Sequence, residues 1–512
     1  MIRLDRTPSL NVGSWLSAQA GRRPDATALI DAERDQRFSY AELNALSNRI
    51  AARLLEDGVE PGDRVALGMR SESFYAAFYF AVTKIGGIFL PLNTRLAPDE
   101  WKFQLADAEP RVAVHDASLG LISEAPTRTW SLDEFRSSLP KRAAEPVLRG
   151  SGEDPHVLMY TSGTTGTPKG ALLPHRKTLY NTLNAELYFE LWARDVIVVP
   201  VPLFHSFGLK ILSVPAFFAG ATVVLVNQFD PRSIQDVVEQ HRATVLAGVP
   251  VMFRRMANVG LDAEKLASVR FAFSAGAPLD AATVRAFAAH GVALRQGYGQ
   301  TETSILCTLP QADVLRKIDT VGKPVHYAEL RIADEDGKTL PAGFSGEVQV
   351  RGPICMLGYW RRAGETRAAL QDGWHRTGDL GQLDDEGFLR LVGRLKEMYI
   401  SGGENVYPAE VEHVLEQHPN VAEAAVVGVA HPEWGETGRA YVVALERPLD
   451  ADAVLRWCRA RLAGYKCPRE LVVVDELPRT ASGKVQKHRL HELDAGAGGA
   501  ARGVRADRSS SA

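Results

Sequence analysis

A chain of 512 residues, 45% apolar and 24% charged, has room for roughly two to four domains and the usage of an ordinary globular protein. Its formal charge of −3 gives no electrostatic case for binding nucleic acid or an anionic membrane surface. Cys307, Cys355, Cys458 and Cys467 are scattered without a CxxC pair, which argues against a disulfide scaffold and a zinc site and fits reduced thiols in the cytoplasm.

The start, "MIRLDRTPSLNVGSW", lacks the apolar core of a signal peptide. "SYAELNALSNRIAARLLEDGV" predicts a helix opened by a capping box of Ser39 and Glu42 and stopped by Gly58. The continuous apolar runs "RVALGM", "RVAVHD", "VIVVPV", "ATVVLV", "TVLAGV" and "VRFAFS" predict strands buried on both faces, as in parallel sheets. The longest uncharged run, Ile211 to Phe229, contains Pro215, Gly220, Asn227 and Gln228. It predicts a buried helix, a glycine turn and a strand, not a membrane span. Strand and helix alternate over roughly 390 residues, the pattern of an α/β fold with helix-covered sheets.

Beyond residue 395 the texture changes. A helix is expected from Pro408, then strands "VAEAAVVGV", "AYVVAL" and "ELVVVDEL", with the helix "ADAVLRWCRARL" between the last two. This predicts a small α+β domain over residues 396–492, after a large domain over 1–395. The remainder, 493–512, has almost no large apolar residue and is expected to be disordered.

Five blocks carry chemistry. "YTSGTTGTPKG" (Tyr160–Gly170) holds three glycines, four threonines, one serine and one lysine, with no acid. Bare backbone N–H groups, hydroxyls and a single cation suit phosphate, and the strand-like "HVLMY" runs straight into the loop. It is not a Walker A loop, since Pro168 precedes Lys169 and Gly170 follows it. "RQGYGQTETS" places Glu302 beside Thr301, an acid and a hydroxyl suited to Mg²⁺ bound with phosphates. "HRTGDL" puts Asp379 in a turn, where a carboxylate can accept from two ribose hydroxyls. "GRLKEMYISGGENVYPAEVE" and "PRTASGKVQKHRL" bound the small domain, the second with Lys484 among four other basic residues. Taken alone such a charge run is a solvated face. GxSxG and HExxH are absent.

Together, in this order, the blocks resemble the adenylate-forming superfamily of acyl-CoA synthetases, peptide-synthetase adenylation domains and luciferases, over about residues 15–492. The resemblance implies that ATP activates a carboxylic acid as acyl-AMP with release of pyrophosphate, and that coenzyme A then displaces AMP. It implies that Thr161, Ser162, Gly163, Thr164, Thr165, Gly166 and Lys169 hold the pyrophosphate, with Glu302 and Thr165, helped by Thr301, toward Mg²⁺. Asp379 and Arg394 would hold the ribose, while Ala275, Gly276, Ala277, Gly297, Tyr298 and Gly299 flank the adenine. Lys484 would bridge carboxylate and α-phosphate, Lys396 would be the hinge between half-reactions, and Gly402 and Gly403 would let pantetheine pass bare backbone.

"PLFHSFGL" bears on the acid. Relatives that activate amino acids carry Asp where this chain has His205, which argues against an ammonium in the pocket. His205 is either a packed core residue or the gate of the carboxylate entrance. Phe207, Ile211 and Ile305, with Ala275, Gly276 and Gly297, would line an apolar, partly aromatic slot for an alkyl chain or an aryl-propenoate. Lys210 is expected to be solvated, and the alternative is a partner for a second substrate carboxylate. Two rivals remain, a ligase loading a carrier protein and a catalytically silent nucleotide-binding regulator. A monomer and a homodimer both stay open.

Overall fold

The computed structural model describes residues 10–119, 128–161, 168–402, 404–479, 485–490 and 504–505. Ser162, Gly163, Thr164, Thr165, Gly166, Gly403 and Lys484 of the expected site therefore lie outside the described residues. The chain forms two compact units, residues 1–330 with 349–376, and residues 331–348 with 377–512.

Among the described residues the first unit contains two large sheets. One runs Lys323–Pro324, Ser304–Thr308, Leu294–Gln300, Phe271–Ala275, Val245–Gly248, Val196–Val199, Thr222–Leu225, Thr27–Asp31, Gln36–Ser39. The six strands from Leu294–Gln300 to Thr27–Asp31 are mutually parallel. The other runs Gly358–Tyr359, Lys169–Pro174, Pro155–Thr161, Ile88–Pro91, Arg64–Gly68, Val112–His115, Arg128–Ser131 and is antiparallel only at its first two pairings. All six apolar runs are parallel strands, as their lack of alternation predicts.

Helix Ser73–Lys84, "SFYAAFYFAVTK", is buried at every residue and packs against strands of both sheets. A helix apolar all round can be stable only in such an interior position. Its fully buried rings Phe78 and Phe80 each contribute about 1.5–3 kcal/mol by leaving water. Helix Tyr40–Glu56 opens with the expected capping box: Glu42 N donates to Ser39 Oγ at 3.2 Å and Ser39 N to Glu42 Oε2 at 2.8 Å. The uncharged run from Ile211 resolves into buried helix, Gly220 at φ 81° and strand Thr222–Leu225. Among the described residues no helix is long and apolar enough to cross a membrane.

Strand Trp374–Leu383 carries the chain into the second unit, and the division precedes the 395/396 boundary expected from the motifs. The reason lies in local bonding: Thr377 Oγ1 donates to Val348 O at 2.7 Å and Gly378 N to Glu347 Oε1 at 3.1 Å. The rest of this unit is α+β. Strands Val421–His431 and Gly435–Ala444 form a long antiparallel hairpin, and Glu470–Val474 adds in parallel. Helices Pro408–Glu416 and Ala451–Arg459 cover it, and Val411, Leu415, Val426, Val442, Val454, Leu455 and Leu471 form the core between. Pro408 occupies the first helical turn, where its missing N–H costs nothing. Of the tail, only Val504–Arg505 is described, paired antiparallel with Leu471 and Glu470. The remainder of the expected disordered segment lies outside the described residues.

Candidate active site

In the first unit, Thr161 pairs with Lys169 and Tyr160 with Gly170, so the two ends of the Gly/Thr loop leave adjacent strands side by side. Thr161 Oγ1 donates to Glu302 Oε1 at 3.2 Å, and Tyr359 OH donates to the same oxygen at 3.1 Å. Lys169 Nζ lies 5.6 Å from the centroid of the Tyr359 ring, a cation–π distance. Two residues expected to act on phosphate and metal, Lys169 and Glu302, thus meet at Tyr359, which sequence reasoning missed, while Thr161 meets the same Glu302 oxygen. The available signal was "MLGYW", whose Tyr359 pairs with Ala171 on the strand that leaves the loop. Burial and the Glu302 carboxylate push the Tyr359 phenol above its ordinary pKa, so it remains a donor.

Glu302 is 8% exposed and rides a tight turn between strands Leu294–Gln300 and Ser304–Thr308. A Cβ on Gly299 would fall 1.9 Å from Ser304 O, so only glycine fits there. Thr301 is half-buried in the same turn. Among the described residues no group of three or more His, Cys, Asp or Glu could hold a metal unaided. A single carboxylate with the Thr161 and Thr301 hydroxyls beside the ends of the Gly/Thr loop is nevertheless a hard-oxygen donor set that fits Mg²⁺, which is commonly held by one or two carboxylates plus substrate phosphates.

Ala275, at the carboxyl end of its strand, pairs in parallel with Gly297 of Leu294–Gln300, and Gly276 and Ala277 follow it directly in the chain. Ligands of open α/β sheets sit at such ends. Phe207 and Ile211 belong to a π-helical stretch, Phe207–Ser213, a geometry that is frequent at functional sites. The strand bearing Ile305 packs against this stretch. Asn181 ties the two together, accepting from Ile305 N at 3.3 Å and donating to Lys210 O at 2.9 Å. Phe273 was missed: its ring lies 6.0 Å from Phe207 and 4.6 Å from Phe189, and a Cβ on Gly297 would meet it at 2.7 Å. His205 is half-buried, its ring 4.6 Å from Phe204.

Lys210 is not solvated as expected; it is 3% exposed. Its Nζ bonds the Thr178 hydroxyl, His156 Nε2 at 3.0 Å and Tyr79 OH at 3.4 Å. Three neutral acceptors replace water, and burial together with nearby Lys177 pushes its pKa well below the lysine range. It is therefore poorly suited to meeting a second substrate carboxylate. His156 stacks on His175 at 4.3 Å. Burial, assisted by Lys210, drives His156 well below its ordinary value and His175 down to about 3. Both imidazoles stay neutral in the fold, whereas the unfolded chain takes up protons below pH 6.5. Stability present above that pH is therefore lost as pH falls toward 3, by about 1 kcal/mol per pH unit for His175. Calorimetry from pH 6.5 to 5, where ordinary carboxylates titrate little, is expected to show a falling Tm, and a flat Tm would refute this account.

In the second unit, Asp379 pairs with Arg394 across an antiparallel hairpin, and Arg394 Nε lies 3.1 Å from Asp379 Oδ1. "HRTGDL" is strand, not the expected turn. Pairing with Leu389–Arg394 overrides the local Thr-Gly-Asp preference, and Gly378 at φ 71° supplies the kink. Lys396 is exposed in the four-residue link between strands Leu389–Arg394 and Tyr399–Ser401. Gly402 has φ 62°, and a Cβ there would strike Trp434 at 2.7 Å. Its bare backbone is thus covered by an indole within this unit. The basic run near Lys484 is ion-paired within the unit: Lys487 bonds Glu397 and Glu412, each at 2.7 Å, and Arg479 bonds Glu423 at 2.5 Å.

Comparison with known proteins accords with this geometry. The family described as AMP-binding enzyme matches residues 16–360, and the AMP-binding enzyme C-terminal domain matches residues 410–484. A feruloyl-CoA synthase from Amycolatopsis is 38% identical over 93% of this chain and 97% of its own. An indoleacetate–CoA ligase from Aromatoleum aromaticum is 40% identical over 94% and 98%. The solved structure of the O-succinylbenzoate coenzyme A synthetase of Bacillus subtilis, in complex with ATP and magnesium ion, is 33% identical. It covers 93% of this chain and 99% of its own, with a TM-score of 0.85.

Proposed function

Since the chain belongs to the AMP-binding enzyme family and is an AMP-forming acyl-CoA synthetase, we propose that its acid is a hydrophobic aryl monocarboxylate. The observation that supports this choice is the aromatic file Phe207–Phe273–Phe189 beside Gly297, with ring centroids 6.0 and 4.6 Å apart, which would wall an acid slot with aromatic surface. The acids named for the two curated relatives, ferulic and indoleacetic, are likewise aromatic. Lys210 is engaged in its own buried network and so offers no counter-charge to a second substrate carboxylate.

The reaction brings two anions together, so cations and oriented donors carry it. A carboxylate oxygen attacks the α-phosphorus, and the bond to pyrophosphate breaks. The thiolate sulfur of coenzyme A then attacks the acyl carbon, and AMP leaves with the bonding electron pair. Thr161, Ser162, Gly163, Thr164, Thr165, Gly166 and Lys169 receive the pyrophosphate. Glu302, with Thr165 and Thr301, holds Mg²⁺, which when bound neutralises charge on the phosphates. Tyr359 and Thr161 fix the Glu302 carboxylate by donating to it. Asp379 accepts from the ribose hydroxyls and Arg394 holds the Asp379 carboxylate. Lys484 serves adenylation, Lys396 pivots between half-reactions, His205 gates the carboxylate, and Gly402 and Gly403 serve coenzyme A.

A panel of aryl and alkyl acids scored by AMP formation, with coenzyme A or a carrier protein as acceptor, tests this reading. Aryl acids with coenzyme A are expected to turn over fastest, and turnover only with carrier protein or only with long alkyl acids would overturn it. Phe273→Leu is expected to shift relative kcat/KM toward alkyl acids by about 10-fold, the scale on which pocket shape discriminates apolar substrates. An unchanged ratio would remove Phe273 from the slot.

A further inference from the structure

Lys177 is 1% exposed and projects from helix His175–Phe189, and the reaction above gives it no part. Its Nζ donates to Ser304 Oγ, and burial pushes its pKa down to about 7. Ser304 is the first residue after the Glu302 turn and stands at φ 62°, left-handed backbone that a residue with a Cβ rarely adopts. Such strain persists only where surroundings over-determine it. One side of the turn is fixed by Gly299, whose missing Cβ admits Ser304 O. A second point is Met356 N, which donates to the Glu302 carbonyl at 2.8 Å. Lys177 supplies the third through Ser304 Oγ.

The helix repeats this use of buried polar groups along one stripe. Asn181, one turn on from Lys177, accepts from Ile305 N at 3.3 Å. Asn184, a further turn on, accepts from Tyr327 N at 3.3 Å. All three side chains are 0–1% exposed, and positions i, i+4 and i+7 share a helix face. A buried polar amine is costly unless it is hydrogen-bonded. Apolar residues would pack this stripe at lower cost if it served only to fill space.

We propose that Lys177 is a positioning residue for Glu302: by gripping Ser304 it holds the turn in the conformation that presents the carboxylate to Mg²⁺ and phosphate. The inference rests on the reading of Glu302 as the metal-holding carboxylate. Groups that orient metal ligands commonly cost 10–100-fold in metal affinity when lost. Lys177→Met, similar in length and uncharged, is expected to raise the Mg²⁺ concentration for half-maximal pyrophosphate release by about 10-fold. It is also expected to weaken binding of Mn²⁺ with a nonhydrolysable ATP analogue, followed by water-proton relaxation. Thioester formation from supplied acyl-AMP, which needs no metal, is expected to stay within about twofold of the parent. Lys177→Arg restores much of the loss.

Glu302→Gln run in parallel separates the two ideas. A shift in metal requirement for Glu302→Gln but none for Lys177→Met overturns the positioning role. No shift for either overturns the reading of Glu302 itself. Equal loss of both half-reactions in Lys177→Met would mark a general packing role and also overturn the proposal. Should Lys177→Met not fold, Ser304→Ala removes the same bond and is read by the same criteria.

Discussion

Replacing Lys484 with alanine is expected to lower acid-dependent pyrophosphate release by about 10²–10³, the cost of losing one group aimed at developing charge in an acyl or phosphoryl transition state. That factor corresponds to about 3–4 kcal/mol of barrier. Two anions must meet in the first half-reaction, and a cation bonded to both lowers their repulsion most where the new bond is forming. The second half-reaction replaces a good leaving group, AMP, by a thiolate and needs no such bridge. Supplied acyl-AMP is therefore expected to give thioester at nearly the parental rate in Lys484→Ala. Lys484→Arg keeps the charge on a wider, planar head and is expected to recover only part of the loss. Measuring pyrophosphate and thioester separately decides the matter. If both half-reactions fell together, the assignment of this lysine to adenylation would be wrong.

The strands of the large unit were legible because a continuous apolar run flanked by helices has few other stable uses, and all six became parallel strands. Ser39 and Glu42 were legible because a capping box is local. Tyr359 was not, since its role depends on a register that places it opposite Ala171, far away in sequence. Phe273 was hidden inside "VRFAFS", where an aromatic residue reads as one more core side chain. Lys210 misled for a related reason. A lysine without a visible acidic partner reads as solvated, yet the fold brings it the neutral acceptors His156, Thr178 and Tyr79 from three separate elements. Asp379 shows tertiary pairing defeating local preference: Thr-Gly-Asp favours a turn, but the hairpin partner Arg394 keeps it in strand. Site chemistry that lies in one short block can be read directly; chemistry assembled across register and packing needs the fold.

Glu302→Gln is the second change with a large expected effect, because it keeps the shape of the side chain while removing its charge. Glutamine Oε1 can still accept from Thr161 and Tyr359, which bond that oxygen at 3.2 and 3.1 Å in the parent. The turn should therefore persist, with Gly299 and Ser304 still in close contact. What disappears is the anionic oxygen that a hard divalent cation selects over a neutral amide. Pyrophosphate release is expected to fall by about 10²-fold at low Mg²⁺ and to recover in part as Mg²⁺ is raised, since affinity rather than geometry is lost. Tyr359→Phe, which keeps the carboxylate and removes one donor to it, is expected to cost about 10-fold in the same assay. A loss in Glu302→Gln that excess Mg²⁺ does not touch would mean that the carboxylate acts on something other than the metal. The Tyr359 bond would then have to be explained by packing alone.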